Sequence, residues 1–559
     1  MIEHFGPVSP AFVLIAAGLV LPFFRGRLQD ALFVLAPLLA LALVWVLPDG
    51  SAGPVDWLGL QLTPLAVDGV ARLFGTAFAI AAAVGALYAL DQKNVVERAS
   101  ALVYAGSAQG IVFAGDLVTL FAFWEVMAIA STLVILSNGA EKAGLRYALI
   151  HVLGGVLLFA GIVAAVAEGG TAIRVMRADS VGHWLILAGV LVNAGAPPLS
   201  AWVADAYPRA SWSGTVFLSS FTTKAAVLVL IRLFPGEQAL LWFGLIMAIY
   251  GLIYALLEND IRRLLSYSIV GQVGFMVVAV GIGSPLALAA ASVHAFAHIL
   301  YKALLMMAAG SVMRATGTTR LTELGGIARS LPLTSAAFLV GGFALAAMPF
   351  TAGFVSKSAI MQALADDKAA LPWFVLTAVS AGSFLYVGLK LPWFALFRPA
   401  SPRPIILAPR RSMQAAMLLV CTALLLLGCF PNLLVAVAPG ISEVRVLTAD
   451  HILFQFQLLA ASGFCFVLLL QLFLPHVAIT RDTDWLWRKL PAVVLAKLET
   501  IRQALQRLAK GIRQQIELEN GGFKPFRSRS LLNAGNWRTG DIALWATALL
   551  GLFLLIAAL

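Results

Sequence analysis

Long apolar runs, separated by short polar breaks, recur along this chain from end to end. Runs of about 17–25 residues are long enough to cross a hydrocarbon core of about 30 Å as helices. Lipid offers backbone N–H and C=O groups no hydrogen-bond partner, so helices are the expected solution. The alternating pattern of a membrane β-barrel is absent. The sequence therefore predicts an all-α polytopic membrane protein with about 14–16 transmembrane helices.

The composition and the charge distribution support this fold class. Only 12% of the 559 residues are charged, about half the roughly 25% share of soluble domains. The net charge of +11 could indicate nucleic acid, but up to the fifteenth span the loops after odd-numbered spans hold sixteen Lys and Arg residues and those after even-numbered spans only four. The positive-inside rule then places the odd loops in the cytoplasm of a bacterial inner membrane and both termini on the periplasmic side. We expect the lipid bilayer, and not nucleic acid, to be the partner of this charge.

The runs divide the chain into six segments. We expect N-terminal spans over 1–98, a first repeat over 99–234, a second repeat over 238–397, additional spans over 412–475, an amphipathic helix over 484–520 and a last span over 541–559. Apolar residues in the amphipathic segment recur at steps of three and four, with Lys and Arg on other faces. Such a helix either lies on the cytoplasmic membrane surface or braces a neighbouring subunit.

Two similar helix breaks indicate an internal repeat. APPLSAWVAD at 196–205 interrupts the seventh predicted span, and AMPFTAGFVSK at 347–357 interrupts the twelfth. The helix-breaking residues are Pro197, Pro198, Pro349 and Gly353. Because an odd number of spans reverses the chain direction, the two units are expected to be inverted five-helix repeats. Inverted repeats with broken helices near mid-membrane are typical of secondary transporters.

Several ionisable residues lie inside the predicted spans. A charge at the bilayer centre costs from about 2.5 to more than 10 kcal/mol, so each needs a partner, a wet cavity or a function. The residues concerned are Glu125, Lys224, His294, His298, Lys302, Lys357 and Lys390. His294, His298 and Lys302 share one helix face by their i, i+4, i+8 spacing, while Lys390 lies near a span end and could instead snorkel. Spread over successive spans, these groups favour a lateral proton or cation relay over packing alone.

The chain shows no cofactor or metal site of its own. No GxGxxG, P-loop or paired CxxC motif is present. Two histidines four residues apart could bind zinc, but there is no HExxH motif and no third ligand is evident. We therefore expect no catalytic residue, no cofactor and no enzymatic activity in this chain.

Several motifs of the chain resemble those of a known family. They are FWEVMAIAS, SSFTTKAA, LENDIRRLLSYSIVGQVGF, HAFAHILYKALLMMAAG and GFVSKSAI. They resemble the antiporter-like subunits shared by Mrp-type multisubunit cation/proton antiporters, respiratory complex I and membrane-bound hydrogenases, most closely the D subunit of Mrp antiporters. The resemblance implies that the two repeats are half-channels. It implies that Glu125 and Lys224 serve the first, that His294, His298 and Lys302 link the halves, and that Lys357 serves the second.

One departure from the family pattern affects the first half-channel. The family motif resembles KAGxFPLHxWLPDA, whereas this chain reads NAGAPPLSAWVADA, with Asn193 in place of the lysine and Ser200 in place of the histidine. In the family that lysine is the direct partner of the glutamate. Either Lys224 has become the partner of Glu125, or this half no longer pumps.

The resemblance implies one main function and leaves alternatives open. The main expectation is a proton/cation-translocating subunit of a Mrp-like Na+(K+)/H+ antiporter, assembled with other membrane subunits. The alternatives are a proton-pumping subunit of a complex I-like or hydrogenase complex, with redox chemistry on other chains, a degenerate scaffolding paralogue, and the membrane half of an uptake system with a soluble partner.

Overall fold

The computed structural model describes most of the chain up to residue 507. The described residues are 8–51, 53–399, 405–442, 444, 446–477, 482–485, 488–489, 493, 496–503 and 506–507. The chain forms two compact units, residues 1–487 and 488–559. In the second unit residues 496–503 and 506–507 are helical, within the predicted amphipathic helix. Most of the rest of that helix and the last predicted span, 541–559, lie outside the described residues.

The first half of the larger unit consists of helices α1 to α10. Their bounds are α1 Pro10–Val20, α2 Gly26–Val46, α3 Gly69–Tyr88, α4 Val95–Phe113, α5 Leu117–Leu136, α6 Glu141–Gly169, α7 Val181–Ala194, α8 Trp202–Ala206, α9 Gly214–Leu218 and α10 Thr222–Leu233. Short 3-10 turns extend α1 and α3 and follow α8. Asp68 and Asp116 accept hydrogen bonds from the first-turn N–H groups of α3 and α5, so these carboxylates cap helices.

The second half runs from α11 to α20. The bounds are α11 Gln238–Leu257, α12 Ile261–Ile282, α13 Pro285–Thr316, α14 Ile327–Ser330, α15 Pro332–Leu345, α16 Ala352–Asp366, α17 Ala370–Ser383, α18 Arg411–Cys429, α19 Asn432–Val437 and α20 Ala449–Leu468. After α17 the chain continues as π-helix over Phe384–Lys390 and Pro392–Phe397.

The helices confirm the predicted fold class. Eleven helices among the described residues are long and apolar enough to cross a membrane. Three shorter apolar helices and α4 account for the other predicted spans up to residue 475. The seventh and twelfth spans are short because each is broken. The chain is an all-α polytopic membrane protein.

Two nested β-hairpins between α2 and α3 were not predicted. β1 Gly50–Ser51 pairs with β4 Ala66–Val67, and β2 Val55–Trp57 pairs with β3 Leu60–Leu62, both antiparallel. The inner turn has positive φ at Leu58 and Gly59, as two-residue hairpin turns require. A leucine is an unusual residue for such a turn, so the local sequence signal was weak.

The interior of the larger unit is built around the helices that bear the deep charges. In the apolar 18-residue stretches of α9–α10, α12 and α13, 94% of the residues are buried. In the corresponding stretch of α20 only 22% are buried. Polar side chains on buried helices are shielded from lipid. The outer helices instead present leucine and phenylalanine to the surroundings, as a lipid-facing surface does.

Both predicted breaks are present, with one correction. The first separates α7 from α8 and contains Pro197 and Pro198. The second separates α15 from α16 and contains Pro349, with positive φ at Ala347 and Phe350. Gly353 was predicted to lie in the second break but lies in the first turn of α16. There its missing side chain lets the two half-helices touch, because a Cβ would lie 1.7 Å from the carbonyl oxygen of Ala344.

Gly353→Ala is therefore expected to destabilise the second break. The added methyl group must push the ends of α15 and α16 apart, at a cost of roughly 1–3 kcal/mol. Thermal unfolding of the purified complex measures the effect as a lower melting temperature. Gly463→Ala is the matched control, since a Cβ at Gly463 on α20 meets nothing within 4 Å. Equal stability of the two variants would contradict the close backbone contact.

Candidate functional site

Lys224 lies at the start of α10, after the short gap that separates α9 from α10. Its side chain is fully buried. Its Nζ donates a hydrogen bond to the carbonyl oxygen of Ser219, 2.6 Å away. Because the helix is interrupted here, a carbonyl near the end of α9 is available to accept. The local break thus supplies the group that holds the lysine.

His294, His298 and Lys302 line one face of α13, as their spacing predicted. The two imidazole centroids are 6.3 Å apart, and all three side chains are fully buried. His294 Nδ1 lies 2.9 Å from Ser356 Oγ on α16. Lys302 donates to the Leu265 carbonyl oxygen, 3.1 Å away, and to the Ser268 hydroxyl.

His298 is the least satisfied member of this face. Neither of its ring nitrogens has a hydrogen-bond partner among the described residues. Buried polar groups are normally paired, by protein or by ordered water. A ring with two free nitrogens at the centre of a polar stripe is placed to exchange protons with water or with its neighbours.

Lys357 lies one turn into α16, beyond the second helix break. Its Nζ donates to the carbonyl oxygen of Leu345, the last residue of α15, at 2.8 Å. Ser380 Oγ lies at 3.5 Å, and the ammonium lies 4.8 Å from the ring centroid of Phe275. A helix C-terminus and an aromatic face both attract a cation. Among the residues that the structure describes, Lys357 is therefore held by neutral groups and not by a carboxylate.

Lys390 is buried and does not snorkel. It lies in the π-helical segment, and its Nζ donates to the carbonyl oxygens of Leu256 and Glu258, at 2.5 and 2.9 Å. These carbonyls belong to the C-terminal end of α11. The side chain thus caps a helix end, which gives it a structural task beside any role in a relay.

The lysines and histidines of the two halves form one buried polar axis. Lys224, Lys302, Lys357 and His294 all lie within electrostatic range of His298. Lys224 and Lys357 also lie within range of Lys302. In the ion pairs that the structure describes, none of these groups is bound to a carboxylate. Because like charges within this range disfavour one another, the gain of a proton at one group favours its loss from the next.

Glu125 has no cationic partner in the described part of the chain. Its Oε1 is buried and has no hydrogen-bond partner. It lies against Gly155 of α6, where a Cβ would be 2.2 Å from that oxygen. Lys224 binds Ser219 and is not paired with Glu125. The structure therefore does not show the exchange of partner that the sequence allowed.

Asn193 and Ser200, the two altered family positions, are also unsatisfied. Both side chains are buried, and neither the amide atoms of Asn193 nor the Ser200 hydroxyl has a hydrogen-bond partner in the described region. Asn193 Oδ1 lies 3.3 Å from where a Cβ on Gly154 would be, so Asn193 and Glu125 contact neighbouring positions of α6. Buried polar atoms without partners are costly. The first half thus has a polar site without the cation that the family motif would supply.

Sequence reasoning missed a histidine beside this site. His151 lies one turn before Gly155 on α6, stacks on Tyr147 at 3.8 Å between ring centroids and meets Trp202 edge-on at 4.7 Å. Its Nδ1 is 2.9 Å from the Tyr147 carbonyl oxygen, while its Nε2 has no partner among the described atoms. A single histidine within RYALIHVLGG was the available signal.

Comparison with known proteins identifies relatives of this chain. Residues 114–385 match the family described as NADH:quinone oxidoreductase/Mrp antiporter, TM. The chain is 31% identical to the A/B subunit of a probable K(+)/H(+) antiporter of Rhizobium meliloti (strain 1021), over 77% of this chain and 48% of that protein. It is 30% identical to the D subunit of the Na(+)/H(+) antiporter of Alkalihalophilus pseudofirmus, over 55% of this chain and 69% of that protein. The chain thus spans about half the length of the first relative.

A solved structure shares the fold. A chain of the Mrp complex from Dietzia sp. DQ12-45-1b superposes with a TM-score of 0.75 at 22% identity, covering 97% of this chain and 65% of that one. The helical fold of this chain is therefore shared with a chain of the Mrp complex.

Proposed function

This chain belongs to the family of antiporter-like membrane subunits that Mrp antiporters share with NADH:quinone oxidoreductase, and we propose that it is the proton/cation-translocating subunit of a Mrp-like Na+(K+)/H+ antiporter. It works beside other membrane subunits in a bacterial inner membrane and catalyses no reaction of its own. Two of its relatives are named as subunits of K(+)/H(+) and Na(+)/H(+) antiporters, which supports an alkali cation as the second ion.

The observation that carries this proposal is the polar axis from Lys224 to Lys357. Its lysines are held by backbone carbonyls, hydroxyls and a ring, which stabilise an ammonium without fixing it as a carboxylate would. Both the charged and the neutral amine can therefore be occupied. A scaffold subunit would gain nothing from deep lysines that cost several kcal/mol each.

Lys302→Ala is expected to stop transport, because Lys302 lies within electrostatic range of both Lys224 and Lys357. Proton-transferring groups contribute about 10²–10⁴-fold to a rate, so we expect cation-induced proton movement to fall at least a hundredfold in everted vesicles that contain the whole complex. Lys368→Ala is the control, since Lys368 is exposed after α16. Normal transport by an assembled Lys302→Ala complex would reject the axis as the route.

A redox-driven pump is the second candidate function, because the matched family is shared with NADH:quinone oxidoreductase. The two candidates differ in what energises proton movement. A Mrp-like complex responds to an added Na+ or K+ gradient and not to an electron donor. A redox complex responds to the donor and is silent to the cation pulse. Applying both stimuli to the same vesicles separates the two.

A further inference from the structure

A cavity of about 330 Å³ lies beside Lys357. Besides Lys357, the polar side chains in its wall come from three helices and are Ser358 and Gln362 on α16, Thr377 and Ser380 on α17, and Asp450, His451 and Gln455 on α20. At roughly 30 Å³ per molecule it has room for about ten waters. The rest of the wall is mainly apolar, so the polar side chains are the groups that can bind a chain of water leading to the buried lysine.

The cavity extends towards one side of the membrane. On α16 its lining runs from Phe354 to Ala365, and the part from Lys357 to Ala365 covers about 12 Å along the helix axis. Its far end is formed by the last residues of α16 and the first residues of α17 and α20. The arginine-rich loops that follow α13 and the π-helical segment lie at the opposite ends of these helices. By the positive-inside rule the cavity therefore faces the non-cytoplasmic side.

Helix α20 forms one wall along the whole path. Asp450 is exposed at the mouth. His451 is half-buried, and its Nδ1 has no hydrogen-bond partner in the described part of the chain. Gln455 is buried and donates to the carbonyl oxygen of Ala346, 3.2 Å away. Ala346 follows Leu345, whose carbonyl holds Lys357, so α20 touches both the entrance and the break that positions the lysine.

The charges in the wall select the species that the cavity conducts. Lys357, Asp450 and His451 are the titratable side chains in its lining. The ammonium at the inner end repels a free alkali cation, whereas a proton can move along water and be accepted by the neutral amine. A carboxylate at the mouth raises the local concentration of cations, including hydronium.

We propose that α20 is the outer proton gate of the second half-channel. A proton gathered near Asp450 binds a ring nitrogen of His451, which releases a proton to the cavity water, and that water protonates the neutral Lys357 amine. Gln455 positions the second break through Ala346. The inference rests on the proposed function, and it assigns a role to a helix that lies outside the matched region 114–385.

Transport by three variants tests the gate in vesicles that contain the assembled complex. Asp450→Asn and His451→Phe are each expected to slow proton movement roughly tenfold, the size of effect that a focusing charge has on an on-rate. Asp56→Asn is the matched control, because it removes an exposed carboxylate in β2, on the side predicted to be the same. Lys357→Ala is measured alongside them.

The outcomes separate the two proposals. Slow transport in both α20 variants, with normal transport in Asp56→Asn, supports the gate. Normal transport in both α20 variants beside an inactive Lys357→Ala overturns the gate and leaves the proposed function standing. Full transport in Lys357→Ala overturns both.

Labelling from each side of the membrane gives a test that does not depend on rates. Thr377→Cys is introduced into a chain whose three native cysteines are replaced by serine, and assembly is verified. A membrane-impermeant methanethiosulfonate is expected to modify this cysteine in right-side-out vesicles and not in everted ones. Modification from the everted side alone would overturn the outward opening.

Discussion

Lys357→Ala is expected to abolish ion transport while the complex still assembles. Lys357 is the ionisable group at the inner end of the cavity and a member of the polar axis. Removing a proton-transferring group costs about 10²–10⁴-fold in rate, so we expect cation-induced proton movement to fall at least a hundredfold. The Leu345 carbonyl loses its donor, at a cost of about 1–3 kcal/mol, which lowers the melting temperature without preventing assembly.

Lys357→Arg distinguishes a relay lysine from a structural one. A guanidinium can still bind the Leu345 carbonyl and stack on Phe275, but it is never deprotonated in proteins. A relay role predicts normal stability and lost transport for this variant. A structural role predicts that the arginine restores both. Blue-native electrophoresis of the complex provides the assembly measurement, and transport in the same vesicles provides the second readout.

The fold was predictable because its signals are local. Hydropathy gave the bounds of α5 within about one residue of the predicted 116–137, and the four-residue spacing placed His294, His298 and Lys302 on one face. Prolines marked the two breaks, whereas Gly353 lies just beyond the second one. The hairpins between α2 and α3 were missed, because residues 50–67 contain only two- and three-residue strands.

The contacts of the site were not predictable, since they depend on how helices distant in sequence pack. The pairing of Lys357 with the last carbonyl of α15 follows from the path of the break. Lys390 lies near a span end in the sequence, yet it is buried against the end of α11. The contact of Glu125 with Gly155 depends on how closely α5 packs against α6. The sequence of either helix alone does not predict that distance.

A lysine at position 193, where the family motif has one, is expected to give Glu125 a cationic partner. Asn193→Lys would place an ammonium beside the position of α6 that Glu125 contacts. We expect this variant to assemble as well as wild type, because Glu125 offers the new charge a partner. The same lysine in a Glu125→Gln background is buried without an anion. Breaking a buried ion pair in this way costs about 3–5 kcal/mol, so the double variant should lose much of its assembled complex.

Asn193→Leu is the control, made with either glutamate or glutamine at position 125. It removes the asparagine amide and introduces a larger side chain without a charge. Because leucine cannot pair with Glu125, its effect should be the same with glutamate or glutamine at 125. A double-mutant cycle on the melting temperature isolates the interaction between the side chains at positions 193 and 125. Additive effects of Asn193→Lys and Glu125→Gln would mean that the two positions are too far apart to interact.

Transport in the same variants decides what the asparagine does to the first half. In the natural chain no described residue offers Glu125 a cation, so Glu125→Gln should change transport little while Lys357→Ala abolishes it. In the Asn193→Lys variant the charge state of Glu125 and that of the new lysine are coupled, and transport should become sensitive to Glu125→Gln. A strong effect of Glu125→Gln in the natural chain would instead show that the first half conducts without a lysine, with Asn193 as a neutral part of its path.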